Sequence, residues 1–188
     1  MTNIIKPNYP KCIFFDVDGI LTDGSKIYSS DKNAKVIGKR FNDIDFTAFK
    51  ILKCFDIDFY WISGDASVNK ELANNRSIKF IYTRESGVMQ KKSFFMKKIC
   101  KDLNYNKNDI WFMGDDLFDL SAIQFSSFSL CPSNSPQIIR DNVSLVIPRK
   151  SGEYLVSWLV DFIISEFNLE CPSEETVASK ENEENQTY

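Results

Sequence analysis

The chain has no histidine among its 188 residues. That excludes His-ligated zinc and histidine general bases at once. Its five cysteines, Cys12, Cys54, Cys100, Cys131 and Cys171, are scattered and never form CxxC. They read as buried free thiols in a reducing cytoplasm. The Cys-x5-Arg loop of cysteine phosphatases is also missing. No apolar run reaches 18 residues, so no membrane span is expected. The opening MTNIIKPNYPK lacks the charged-then-apolar pattern of a signal peptide, and the expected location is cytoplasmic. There is no internal repeat and no long linker, which points to one domain, residues 1–168, with a short appendage.

The formal net charge is small, -3, but the charge is unevenly placed. From Glu170 to Tyr188 six acids face one lysine, while the other 169 residues carry a net +2. Residues 169–188 therefore read as an acidic, disordered tail. Neither part is basic enough for nucleic acid. A hydrophobic fraction of 43% with 16 Phe is ample for a sizeable core.

What is present alternates strand and helix. Lys11–Phe15, Asp58–Ile62, Ile78–Tyr82, Asp109–Met113, Phe128–Cys131 and Leu145–Ile147 are short apolar runs, the form buried parallel strands take. Between them lie helical segments at 45–55, 67–74, 91–103, 118–125 and 136–142, and a last helix at 153–167. The helix at 91–103 is expected to turn Phe94, Phe95, Ile99 and Leu103 inward. Residues 25–28 and 35–41 flank a polar turn and read as a β-hairpin. The predicted fold is α/β, a doubly wound parallel sheet with a hairpin flap.

Polar groups cluster at the carboxyl ends of the strands, where such sheets bind ligands. The segment CIFFDVDGILTDG carries Asp16 and Asp18, which alternate with Val17 and can face one site. Ser63 and Gly64 end the next strand, Lys91 opens a helix, and Gly114-Asp115-Asp116 ends another strand with Asp119 one turn later. These residue types suit phosphoryl transfer through an aspartyl-phosphate. Asp16 would be the nucleophile and Asp18 the general acid and base. Ser63 and Lys91, or its neighbour Lys92, would bind phosphoryl oxygens. Asp115 would join Asp16 and the Asp18 carbonyl around Mg²⁺, a hard cation suited to oxygen ligands, with Asp116 and Asp119 orienting that shell.

DVDGILTDG at 16–24, Ile62-Ser63-Gly64, Gly87-Val88-x-x-Lys91 and Gly114-Asp115-Asp116-x-x-Asp119 resemble the four motifs of the haloacid dehalogenase (HAD) superfamily. Within it, the chain resembles the 3-deoxy-D-manno-octulosonate 8-phosphate (KDO 8-phosphate) phosphatase group and the phosphatase-like domain of some acylneuraminate cytidylyltransferases. The likeness spans about residues 10–165 and includes Phe41-Asn42-x-x-Asp45. It implies a HAD-like Rossmannoid fold and a Mg²⁺-dependent phosphatase for a small phosphorylated sugar acid, in lipopolysaccharide or related carbohydrate biosynthesis. It further implies substrate contacts from Asn42, Asp45 and Gly64. The gaps from Asp18 to Ser63 and from Ser63 to Lys91, 45 and 28 residues, leave no room for a cap domain. The resemblance then implies a homotetramer in which neighbouring subunits cover the site.

The chain departs from that pattern around the substrate. Asp65 stands where the family has arginine, Ile44 where it commonly has another, and Ser157 falls in a rewritten C-terminal motif. These changes favour a relative of KDO 8-phosphate as substrate. They also leave a second reading, a non-catalytic HAD-like module for oligomerisation or for regulating a sugar-nucleotide synthetase.

Overall fold

A computed structural model describes residues 6–185. Six parallel strands form the central sheet: β1 (Cys12–Phe15), β4 (Asp58–Ser63), β5 (Lys79–Tyr82), β6 (Ile110–Met113), β7 (Phe128–Pro132) and β8 (Leu145–Ile147). Their order is β5-β4-β1-β6-β7-β8. The separate hairpin pairs β2 (Thr22–Tyr28) with β3 (Val36–Phe41) antiparallel. Helices α1 (Asp43–Cys54), α2 (Ser67–Asn75), α3 (Lys92–Asp102), α4 (Leu120–Phe125), α5 (Gln137–Arg140) and α6 (Leu155–Phe167) cover the sheet. No cap domain interrupts the described chain, and no helix in it is long and apolar enough to cross a membrane.

Side-chain alternation along each strand divides the core between the two faces of the sheet. Ile13 and Phe15 of β1 join Trp61, Trp111 and Met113 beneath α1 and α6. Cys12 and Phe14 point the other way, to Ile62, Phe112, Met96 and Cys100 beneath α3 and α4. Both faces are apolar, so β1 and β6 are buried throughout.

This order places the site. The chain builds β4 and β5 on one side of β1, then crosses back to lay β6 on the other. The reversal falls between β1 and β6, whose carboxyl ends frame a crevice, the usual ligand position in open α/β sheets. The backbone locks them in register there, with Asp16 N–H donating to the Met113 carbonyl at 2.8 Å.

Two expectations differ from the structure. In α3 the buried residues are Lys92, Ser93, Met96 and Cys100, while Phe94 and Leu103 are about half exposed. Phe95 and Ile99 are only partly buried. The inward stripe is thus rotated, because it begins at Lys92 and not at the aromatic pair. The acidic C-terminal segment, expected to be structureless, contains helix α7 (Glu174–Asn185) lying against α1. Lys50 pairs with Glu181 at 2.8 Å and Lys180 with Asp56 at 3.5 Å. A helix with a polar circumference can rest on such pairs without contributing apolar burial.

Candidate active site

Asp16 follows β1 directly and is 7% exposed. Its Oδ1 lies 2.6 Å from Lys92 Nζ, and the same ammonium lies 2.6 Å from Asp119 Oδ1. Lys92, not Lys91, therefore stands between the acids. Lys91 is the exposed residue before the first turn of α3, and its side chain lines the cleft further out. The spacing of the sequence admits both lysines. The inward face of α3 selects the second.

Asp119 is fully buried, and its remaining oxygen accepts from the N–H groups of Asp115 at 2.9 Å and Asp116 at 3.1 Å. It thus fixes the loop after β6. Asp116 is turned toward solvent and caps the following 3₁₀ turn by accepting from Phe118 N–H. Two glycines permit this crowding. A Cβ on Gly19 would lie 2.1 Å from Asp115 Oδ2, and one on Gly114 would lie 2.5 Å from Phe112 and 2.6 Å from Asp119. Gly19 also holds φ +92, a conformation that favours glycine.

Carboxylate oxygens of Asp16, Asp115 and Asp119 lie within 4.8 Å of one another. Three acids here share one ammonium. Burial pushes the Asp115 carboxyl up to about 8, assisted by the charges of Asp16, Asp119 and Asp116. Burial lifts Asp16 as well, with Lys92 pulling against it. Burial opposes the Lys92 charge, but Asp119 and Asp16 outweigh it and hold the ammonium above its ordinary value. Asp115 Oδ1 is buried and has no hydrogen-bond partner among the described residues. A buried acceptor without a donor is costly, and an oxygen-only donor set with surplus negative charge fits a hard divalent cation. Asp119 lies within the triad, although the sequence reading assigned it to the outer shell.

Asp18 faces the opposite wall. Its Oδ1 is 2.6 Å from Lys39 Nζ, and its Oδ2 lies 3.1 Å from Asn69 Nδ2 and 3.4 Å from Ser63 Oγ. Ser63, at the end of β4, is 2% exposed and accepts from Asp65 N–H at 3.0 Å. Asp65 explains itself through the hairpin. Lys26 and Lys39 are directly opposed across β2 and β3, a repulsive arrangement unless an anion intervenes. Asp65 Oδ2 supplies it, at 2.8 and 3.0 Å. Burial pushes Asp65 up, but the bonds from Lys26, Ser67 and Lys39 outweigh it and hold the carboxyl well below the usual range.

Sequence reasoning missed Lys39 and Asn69. Lys39 sits mid-strand and Asn69 on a helix face, and neither carries a local signal. Asn69 is fully buried and accepts from Lys39 at 2.9 Å while its amide nitrogen serves Asp18, Ser63 and the Asp65 carbonyl. The structure does not bring Asn42 or Asp45 into the cleft. Asn42 caps α1 by accepting from Ile44 N–H at 3.1 Å. Asp45 is buried and accepts from Val156 and Ser157 N–H at 3.0 and 2.9 Å, capping α6. Asp16, Asp18, Ser63, Gly64, Lys91, Lys92 and Asp116 all line one cleft of about 1020 Å³, large enough for a phosphorylated sugar.

No family model matches this chain. Over 155 residues, 82% of each protein, it is 26% identical to the 3-deoxy-D-manno-octulosonate 8-phosphate phosphatase of Haemophilus influenzae. The cobalt-bound structure of the Haemophilus influenzae phosphatase superposes with a TM-score of 0.74 at 25% identity, over 84% of this chain and 88% of that one. The Moraxella catarrhalis enzyme, solved with magnesium, phosphate and KDO, shares the fold at a TM-score of 0.74 and 24% identity, covering 84% and 87%. In sequence and in fold, this chain is similar to HAD-type KDO 8-phosphate phosphatases.

Proposed function

We propose that the protein is a Mg²⁺-dependent phosphomonoesterase that hydrolyses a small phosphorylated sugar acid through an aspartyl-phosphate. The observation that carries this reading is the pair of acids after β1, which face different partners. Asp16 lies in the acidic triad beside Lys92, and Asp18 lies on the open side beside Ser63 and Lys39. That contrast supports a reading in which one acid attacks and the other moves protons. An Asp16 oxygen attacks phosphorus, the ester P–O bond breaks, and Asp18 delivers its proton to the departing alkoxide. Asp18 then takes a proton from water as that water attacks phosphorus, and the bond to Asp16 breaks to release phosphate. Lys92 and the Ser63 hydroxyl offset charge on the phosphoryl oxygens. Asp16 and Asp115, steadied by Asp119, would hold the cation, which supplies charge neutralisation for the transferring group.

The relationship to phosphatases acting on KDO 8-phosphate supports a sugar-acid substrate and a place in cell-surface carbohydrate synthesis. The five free thiols fit a reducing cytoplasm. An open cleft without a cap favours assembly as a homotetramer. The hairpin offers a surface for it, with Ile27, Tyr28 and Ile37 each more than half exposed. Light scattering should give four subunits, and a monomer would remove the assembly from the account.

The test is phosphate release with Mg²⁺ across sugar phosphates, including KDO 8-phosphate and acylneuraminate 9-phosphates, with Asp16→Asn as control. The expected result is turnover of at least one sugar-acid phosphate that falls by roughly ten-thousandfold or more in the variant. Full activity in Asp16→Asn would refute the nucleophile. Silence of the wild type across the panel, with Mg²⁺ bound, would favour the non-catalytic module.

A further inference from the structure

Most cations of the cleft already have anionic partners. Lys92 is held by Asp16 and Asp119, Lys39 by Asp18 and Asp65, and Lys26 by Asp65. Asp65 is itself saturated, because its other oxygen accepts from Ser67 N–H at 2.9 Å and Ser67 Oγ at 2.6 Å. Among the described residues, two cleft-lining cations have no carboxylate within ion-pair distance: Arg84 and Lys91.

Both belong to the loop between β5 and α3, and its backbone fixes their place. Thr83 N–H donates to the Ser63 carbonyl at 3.0 Å, and Gln90 N–H donates to the Thr83 carbonyl at 2.9 Å. The loop is therefore pinned at its neck against the end of β4, with Arg84 and Lys91 on either side of the pin. Gly87, at φ +77, closes the turn by donating to the Arg84 carbonyl at 2.9 Å. The Arg84 side chain lies across Gly64, where a Cβ would come 3.2 Å from its Nε. Among the described residues its terminal Nη2 donates only to the Met89 sulfur, at 3.5 Å, a weak acceptor. Glu85, the acid of the loop, does not line the cleft. A guanidinium is thus positioned one residue from Ser63, with its planar donor edge unused by any carboxylate.

We propose that Arg84 is the specificity-determining residue of this cleft, binding the carboxylate of a sugar-acid phosphate whose phosphoryl group lies by Asp16, Ser63 and Lys92. This rests on the phosphatase reading and adds the group that selects the acid. A planar fork of donors matches a carboxylate in two hydrogen bonds, which a lysine cannot do. The arrangement also accounts for Asp65: the acid serves the hairpin, and the arginine function lies on the neighbouring loop.

The test compares a substrate that carries a carboxylate with one that does not, 6-phosphogluconate against glucose 6-phosphate, together with KDO 8-phosphate. In Arg84→Ala the KM for the carboxylate-bearing substrates should rise roughly tenfold to a hundredfold, the scale of losing charged hydrogen bonds. kcat and the constants for glucose 6-phosphate should stay unchanged, and Arg84→Lys should recover only part of the loss. Equal effects on both classes, or none, would overturn the assignment. A second arm needs no turnover: calorimetric binding of free KDO should weaken in Arg84→Ala, and equal binding in both proteins would overturn the carboxylate site. A wild type that binds KDO through Arg84 yet releases phosphate from nothing would refute the phosphatase reading alone.

Discussion

On the β6 side of the cleft one buried ammonium faces three carboxylates. On the β4 side two lysines of the hairpin close on Asp65 and Asp18 while Arg84 stays without an acid. The first wall carries surplus negative charge and an unpartnered acceptor on Asp115, and so calls for a cation. The second is balanced within itself and leaves one donor edge free, and so calls for an anion. A phosphorylated acid bound with a divalent cation answers both. In the proposed reading the first wall carries the nucleophile and the cation, and the second carries the proton-transferring Asp18 and the donor that selects the acid.

Breaking the first wall should have the largest effect. Lys92→Met leaves Asp16 and Asp119 buried without their ammonium, which should cost about 3–5 kcal/mol of stability and abolish turnover. Lys91→Met should leave the melting temperature unchanged and activity within about threefold, as for a surface substitution. Thermal melts of the two variants side by side measure the difference, and equal shifts would show that α3 is placed wrongly.

Next is the acid on the second wall. Asp18→Asn should slow steady-state phosphate release by roughly a hundredfold to ten-thousandfold, with the loss concentrated in kcat. A rate near wild type would transfer the proton role elsewhere. Asp65→Asn should be milder, because it removes the anion between Lys26 and Lys39 without touching Asp16. A loss of roughly 1–3 kcal/mol is expected in denaturant unfolding, and stability unchanged would mean that the hairpin does not depend on Asp65.

The smallest effect should come from outside both walls. Truncation after Glu170 removes α7, whose ion pairs to Lys50 and Asp56 are partly or largely exposed. Such pairs contribute about 1 kcal/mol or less, so melting and turnover should barely move. A large drop would show that α7 packs more firmly against α1.

The contrast between the walls also marks how far the sequence could be read. Cys12–Phe15 and Ile110–Met113 are continuous apolar runs that end in acids, so the strands, the parallel sheet and the acids of the first wall were legible from order alone. Asp45 was misassigned because a capping carboxylate and a substrate-binding one look alike in sequence; its partner, the α6 N-terminus, lies 111 residues away. Lys92 could not be separated from Lys91 because the choice depends on which face of α3 meets the sheet. The second wall was almost invisible, since Lys39, Asn69 and Arg84 come from a hairpin, a helix and a loop that meet only in the fold. The helix at 174–185 was read as a tail because its residues carry no apolar face.

The most direct measurement is to trap the intermediate. Asp18→Asn should fail to hydrolyse the aspartyl-phosphate but still form it from p-nitrophenyl phosphate, whose leaving group needs no proton, so the variant is mixed with that substrate and Mg²⁺, quenched in acid and digested for mass spectrometry. The account predicts one added phosphoryl group on the peptide that contains Asp16, absent from Asp16→Asn. A phosphoryl group on any other residue, or turnover with none trapped on Asp16, would contradict it.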